Sequence, residues 1–294
     1  MSSTERTYFT GMLADRSNHT TEAIASLERI LPELRRTSRK RTAIALRALA
    51  SDYFRIGQYG NASNTYSELM KDFGAEFTNV ERQTITDNRN MFELLRGAPP
   101  QTVSGGREFS VPIRRNALGN TELPLQIGGK TEWWILDTGA NESTIALSTA
   151  RRLGLTLSKA NASTQSGATG VEVPSWMSVI PKVALGDAVI SNVIVLVSDD
   201  SALNVNLGEN GHYQIQGVLG YPVLVALGSW KVSSDKLEVS AESQQSSRST
   251  RLYVEELTPL LEAKVDGRDL LFGLDIRGRI GNSLQRRNHS CRSL

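Results

Sequence analysis

Residues 131–140 read Thr131-Glu-Trp-Trp-Ile-Leu136-Asp137-Thr138-Gly139-Ala140. The first six carry β-branched and aromatic side chains, which is typical of a buried strand. Leu123-Pro-Leu-Gln-Ile127 has the same character, and Gly128-Gly129 between the two segments predicts a tight turn. The pattern therefore indicates a β-hairpin whose second strand runs directly into an acidic residue, Asp137, on a turn.

Two further features accompany this turn. Ser143 places a small hydroxyl six residues after Asp137, and Gly217-Val-Leu-Gly220 follows apolar, strand-like segments much later in the chain. Asp-Thr-Gly alone is a weak signal, but the combination resembles the retropepsin-like aspartic proteases over about residues 121–243. The resemblance implies an all-β acid-protease barrel in which Val218-Leu219-Gly220 lies beside the acidic turn.

The resemblance also implies roles for individual residues. The expected catalytic residues are Asp137, Thr138 and Gly139. The expected substrate-binding residues fall into three groups: Ala140 and Asn141 in the groove, Leu219 and Gly220 beside the turn, and Gly167, Ala168, Thr169 and Gly170 in a flap over residues 163–173 that closes on bound peptide.

The expected chemistry needs two acids. Hydrolysis of a peptide bond without a metal or covalent nucleophile requires one group that takes a proton from water and another that gives one to the carbonyl oxygen. Two close carboxylates that share one proton do both, as is known for aspartic proteases. Residues 121–243 contain one suitable turn, so the second Asp137 is expected from a second copy, in a homodimer that acts on a polypeptide.

Residues 1–98 have apolar positions three and four apart, which predicts helices. Two pairs of helices can be traced, with Gly57 at the turn of the clearer one, and the spacing resembles tetratricopeptide repeats. Such repeats are scaffolds, so a protein partner on this helical region is possible. The predicted fold is thus multidomain, with TPR-like helical hairpins followed by the retropepsin-like barrel.

Residues 99–120 and 244–258 mix Pro, Gly, Ser and polar residues and are predicted to be linkers. Beyond the second linker, Val265-Asp-Gly267 and Leu271-Phe-Gly-Leu274-Asp275 repeat the hairpin of residues 127–137 at a constant offset of 138. Residues 259–294 are therefore interpreted as the truncated start of a second protease-like unit. Because Ile276-Arg277-Gly278 follows in place of Thr-Gly, Asp275 is not expected to partner Asp137.

Composition excludes other classes. A net charge of +2 gives no reason to expect nucleic acid, and no apolar run approaches the ~20 residues needed to cross a bilayer. A single cysteine, Cys291, and scattered histidines support neither disulfides nor a metal site, and no cofactor is predicted. The start Met1-Ser-Ser-Thr-Glu-Arg lacks an export signal, which indicates cytoplasm unless the N-terminus is incomplete.

A second functional class stays open. The interrupted second unit favours a protease-like fold that has lost activity and serves as a binding or scaffold protein. The intact Asp137-Thr138-Gly139 favours an aspartic endopeptidase instead, and that is the function predicted from the sequence.

Overall fold

The computed structural model describes residues 1–159, 162–165, 172–241, 252–276 and 284–285. Residues 1–98 form five α-helices that pack against one another in chain order. Side-chain caps account for the starts of the first, third and fifth helices. In the fifth helix, Thr78 and Glu81 form a reciprocal capping box at the first turn. The helices are α1 Ser3–Arg16, α2 Thr20–Thr37, α3 Arg39–Arg55, α4 Tyr59–Phe73 and α5 Asn79–Leu94.

The helical prediction is confirmed. The faces of α3 and α4 that contain Leu46, Leu49 and Leu69 are fully buried, and Gly57 turns the chain between them with a φ of +76°. Phe54 of α3 stacks on Phe92 of α5 at 4.5 Å between ring centroids, which joins the third and fifth helices into the same core. The specific tetratricopeptide character stays a prediction.

The central part of the chain is a β-barrel region with two short helices. Its elements are β1 Thr102–Gly105, β2 Phe109–Pro112, β3 Arg114–Arg115, β4 Thr121–Ile127, β5 Lys130–Leu136, β6 Ser143–Ala146, α6 Leu147–Arg152, β7 Ala162–Gln165, β8 Glu172–Leu185, β9 Ala188–Ser198, β10 Asn204–Asn206, β11 His212–Gln214, β12 Gly217–Leu219, α7 Tyr221–Leu227, β13 Ser229–Val232 and β14 Lys236–Ser240.

The predicted hairpin is present as β4 and β5, which pair antiparallel around Gly128-Gly129. Both glycines have positive φ values, 57° and 77°, as a two-residue hairpin turn between right-twisted strands requires. The inward faces of these strands join β6, β8, β9 and β12 around a core centred on the fully buried Trp134.

One predicted linker is wrong. Residues 99–120 contain three strands: β1 pairs with β9, β2 with β14 and β3 with β4. Their Pro, Gly and Ser content hides them from a periodicity argument, because short edge strands are specified by partners far away in sequence. This segment is part of the barrel.

The C-terminal unit is a small antiparallel sheet of β15 Leu252–Glu255, β16 Thr258–Val265, β17 Arg268–Leu274 and β18 Leu284–Gln285. The predicted repeat hairpin is therefore confirmed as β16 and β17. The predicted linker 244–258 is wrong for its last seven residues, since β15 pairs with β16; residues 242–251 lie outside the described part.

Two further findings concern the described residues alone. None of their helices combines the length and the apolar character that a membrane span needs. Nor do their His, Cys, Asp and Glu side chains form a group of three or more that could hold a metal ion.

Gly217 provides a test of the barrel core. A β-carbon on Gly217 would lie 2.5 Å from the indole of Trp134, which is itself enclosed on all sides. We expect Gly217→Ala to lower the free energy of unfolding by about 1–3 kcal/mol, because a packed core cannot absorb an added methyl group. Urea denaturation measures this, with Gly97→Ala as the control, since no atom lies within 4 Å of a β-carbon there. Equal stability of the two variants would contradict this packing.

Candidate active site

Asp137 lies immediately after β5, at the point where three strands meet. β12 runs parallel to β5 on one side and antiparallel to β6 on the other, so the chain segment that contains Gly220 lies against the acidic turn. The Asp137 N–H donates to the Leu219 carbonyl at 3.1 Å. The Gly139 N–H donates to Asp137 Oδ1 at 2.8 Å, and Asp137 is 5% exposed. The backbone thus fixes the orientation of a buried carboxyl group.

Gly220 holds the other side of this turn. A β-carbon there would lie 2.6 Å from the carbonyl carbon of Glu142, so only glycine allows this backbone approach. The Gly220 N–H donates to Ser143 Oγ at 3.0 Å, and the Tyr221 N–H donates to the Ala140 carbonyl at 2.9 Å. The small hydroxyl singled out in the sequence therefore ties the acidic turn to β12.

The C-terminal unit brings a second acid to the same turn. β17 ends at Leu274, and the next residue is Asp275. Thr138 Oγ1 donates to the Leu274 carbonyl at 2.9 Å and accepts from the Ile276 N–H at 3.0 Å, while Thr138 itself is fully buried. One hydroxyl therefore bridges the backbone on both sides of Asp275.

Gly139 separates the two carboxyl groups. A β-carbon on Gly139 would lie 3.3 Å from Asp137 Oδ1 and 3.3 Å from Asp275 Cγ. The two groups are therefore no further apart than twice that distance. A β-carbon at position 139 would therefore be in tight contact with both acids.

Asp275 was not expected near Asp137, and this expectation is wrong, because the structure places Asp275 next to the acidic turn. It rested on the missing Thr-Gly after Asp275, but Thr138 supplies both the donor and the acceptor that link the two turns. The second turn contributes only backbone groups to this link, so Ile276 can stand in the position of a threonine. The homodimer of two Asp137 residues stays a prediction.

The expected substrate-binding residues lie in different environments in the structure. Leu219 lies beside the acidic turn, and its side chain is fully buried in the barrel core. Asn141 Oδ1 accepts a hydrogen bond from Thr258 Oγ1 of β16 at 3.2 Å, which places Asn141 against the C-terminal unit. Ala140 contributes its carbonyl to the turn, as described above. β7 pairs with the start of β8 as the arms of a hairpin, but Gly167, Ala168, Thr169 and Gly170 lie outside the described residues.

Comparison with known proteins agrees with this geometry. Residues 123–223 match the aspartyl protease family. Among solved structures, a retropepsin-like aspartic protease from Rickettsia conorii is 18% identical and aligns over 48% of this chain and 94% of its own, with a TM-score of 0.32. No curated protein sequence matches the chain. The central part of the barrel is therefore similar to the aspartyl protease family, and five helices precede it.

The helices hold the C-terminal unit against the barrel. Arg16 of α1 pairs with Glu255 at 2.9 Å, and Arg47 of α3 pairs with Glu256. Arg55 of α3 donates to the Glu256 carbonyl through Nη2 at 2.6 Å and through Nε at 3.0 Å. All these contacts fall on the turn between β15 and β16, where Glu256 has a φ of +55°. We call Arg16, Arg47 and Arg55 the arginine clamp.

Arg55, the innermost arginine of the clamp, is shared with two buried acids. Its guanidinium lies 2.9 Å from Asp15 Oδ1 and 3.0 Å from Asp52 Oδ1. One cation cannot offset the desolvation of two carboxylates, so burial raises the pKa of both acids, and that of Asp52 to about 7. Within the described part of the chain, the buried Asp52 Oδ2 has no hydrogen-bond partner. Asp52 therefore stays protonated to a higher pH than an exposed aspartate does.

Sequence reasoning missed these features for identifiable reasons. The arginine clamp connects residues more than 200 positions apart in the sequence, so no local pattern marks it. Glu142, next to the acidic turn, was also missed, because its desolvation depends on how three parts of the chain pack together.

Thr138 allows a direct test of the link between the two turns. Thr138→Val removes the hydroxyl but keeps the shape, which leaves the Leu274 carbonyl and the Ile276 N–H unpaired. We expect a loss of about 1–3 kcal/mol in unfolding free energy and faster amide hydrogen exchange in residues 258–276. Thr138→Ser keeps the hydroxyl and should exchange like wild type. Unchanged exchange in the valine variant would contradict the bridge.

Asp52 gives a prediction for pH. Its ordinary pKa is 3.8, so between about pH 4 and pH 7 the folded protein holds a proton that the unfolded chain has released. Stability must then fall as pH rises through this window, by up to about 1.4 kcal/mol per pH unit. Asp52→Asn mimics the protonated acid, and we expect urea denaturation to show a flatter pH dependence for it than for wild type. Asp72→Asn, at an exposed position on α4, serves as the control; an equal pH slope in all three proteins would contradict the raised pKa.

Proposed function

We propose that this protein is an aspartic-type endopeptidase whose two catalytic carboxylates, Asp137 and Asp275, come from the same chain. The observation that carries the proposal is the position of both carboxyl groups around Gly139, each 3.3 Å from the same point. The match of residues 123–223 to the aspartyl protease family supports the type of chemistry.

The chemistry follows from two acids at this separation. One ionised carboxylate takes a proton from a water molecule, whose oxygen attacks the carbonyl carbon of the substrate. The other, protonated carboxyl gives its proton to the carbonyl oxygen, and a tetrahedral diol results. Collapse of the diol, with a proton delivered to the nitrogen, breaks the C–N bond. Because the acids share their protons, the pH profile belongs to the pair.

The protein frame supports these roles. The Gly139 N–H donates to Asp137 Oδ1 and stabilises the ionised form of that carboxylate. The Thr138 hydroxyl keeps the two turns in register. An extended polypeptide is the expected substrate, paired by strand addition to the hairpin of β7 and β8.

The homodimer predicted from the sequence is the competing arrangement of the same chemistry. It uses two copies of Asp137 and leaves Asp275 without a catalytic role. The inactive scaffold is the competing function, and one observation favours it. Ile276, which stands at the position equivalent to Thr138, has no hydroxyl that could form the reciprocal hydrogen bonds to the first turn. Activity measurements separate all three possibilities.

The experiment uses purified full-length protein and a peptide library, across acidic to neutral pH. We expect a bell-shaped pH profile, and we expect Asp137→Asn and Asp275→Asn each to lower kcat/KM by at least 100-fold. Asp269→Asn, an exposed acid on β17, should retain activity. Full activity in Asp275→Asn would return the second acid to a homodimer, whereas no cleavage by wild type under any condition would support the scaffold.

A mixing experiment gives independent information about the chain of origin. When each catalytic site is built within one chain, a mixture of Asp137→Asn and Asp275→Asn proteins stays inactive at every ratio. Recovery of activity on mixing would instead require acids contributed by different molecules.

A further inference from the structure

A cavity of about 220 Å³ lies where the helices, the barrel and the C-terminal unit meet. Its apolar wall combines residues from all three parts: Phe54 and Tyr59 from the helices, Ile194 from the barrel, and Val254 and Leu257 from the C-terminal unit. Sites for drug-sized ligands have volumes of about 300–1,000 Å³, so this cavity has room for a smaller molecule.

One acid lines this wall. Glu142 follows the catalytic turn, and no donor or cation in the described part of the structure pairs with its carboxyl group. Desolvation by the surrounding protein raises the pKa of Glu142 to about 7, although the side chain keeps partial access to the cavity. An unpaired carboxyl in an apolar cavity is costly, and a donor supplied from outside would remove this cost.

The remaining charged or titratable groups of the wall are already engaged or neutral. Arg55 of α3 directs its donors to Asp15, Asp52 and the Glu256 carbonyl. Burial raises the pKa of Tyr59 on α4 to about 12 and that of Tyr221 on α7 above its ordinary value, so both phenols are neutral near pH 7. Glu142 is therefore the group that selects the charge of a ligand.

We propose that this cavity binds a small organic amine, with the ammonium group on the Glu142 carboxylate and a compact apolar body against the surrounding wall. The charge-assisted hydrogen bond supplies specificity, and the wall supplies hydrophobic contact. The inference does not depend on the proposed function, because none of its binding groups belongs to the pair of catalytic acids.

Occupancy has a structural consequence. The ligand would touch Phe54 next to the arginine clamp, Ser143 behind the catalytic turn, and Leu257 beside the clamped turn. A single molecule would thus contact all three parts whose packing brings Asp275 to Asp137. Binding is therefore expected to slow amide hydrogen exchange in residues 252–276.

The test compares 2-phenylethylamine with its uncharged analogue 2-phenylethanol by isothermal titration calorimetry. We expect the amine to bind at least tenfold more tightly at pH 8 and to lose affinity toward pH 6, as Glu142 becomes protonated. Binding near pH 6.5 should release protons, which calorimetry in buffers of different ionisation enthalpy detects. Equal affinity for the amine and the alcohol would overturn the proposal.

Variants locate the site. Glu142→Gln should lower affinity for the amine at least tenfold and leave affinity for the alcohol unchanged, whereas Glu209→Gln, an exposed acid, should change neither. Val225→Phe fills the cavity and should weaken both ligands. Asp52→Asn should keep the pH dependence of binding, which separates Glu142 from the other acid that titrates near pH 7. Amine affinity unaffected by Glu142→Gln would contradict the assignment.

Failure of this proposal and failure of the catalytic proposal are distinguishable. Asp137→Asn should bind the amine as wild type does, because its carboxyl does not line the cavity. Binding without any peptide cleavage would leave the amine site standing alone, and cleavage without amine binding would leave only the catalytic site.

Discussion

The hydroxyl group of Thr138 is the contact on which the arrangement of this molecule depends. It donates to the carbonyl before Asp275 and accepts from the N–H after it, so it holds a short sheet of the C-terminal unit against the barrel. In a symmetric pair of turns, each threonine would bridge the other. Here one threonine makes the connection for both turns, and the additional anchoring comes from the helices.

The helical region therefore has a structural role, which is to anchor the C-terminal unit. Its arginines form ion pairs and hydrogen bonds with Glu255 and Glu256, and Leu257 packs into the same apolar core as the helices. A β-sheet of three short strands and a two-residue fourth is marginal by itself, since small sheets need packing partners to be stable. The helices thus provide packing partners for the small C-terminal sheet.

The sequence allowed the prediction of everything that local periodicity or turn chemistry specifies. The helices, the hairpin around Gly128-Gly129 and the repeated hairpin at an offset of 138 all follow from such patterns. The edge strands in residues 99–120 and the burial of Leu219 could not be predicted, because both depend on partners distant in sequence. The residue types that follow Asp275 argue against it as a partner of Asp137. Its position is set instead by backbone groups, which sequence motifs do not show.

The order of the two acids along the chain affects when a hydrolytic site can exist. Asp275 is synthesised 138 residues after Asp137. At roughly 5–20 residues per second, a ribosome needs on the order of ten seconds to cover that distance. During this interval the emerging barrel has one carboxylate and cannot perform the proposed reaction. If the proposed function holds, the late synthesis of the C-terminal strands delays the first possible cleavage until after the barrel has been synthesised.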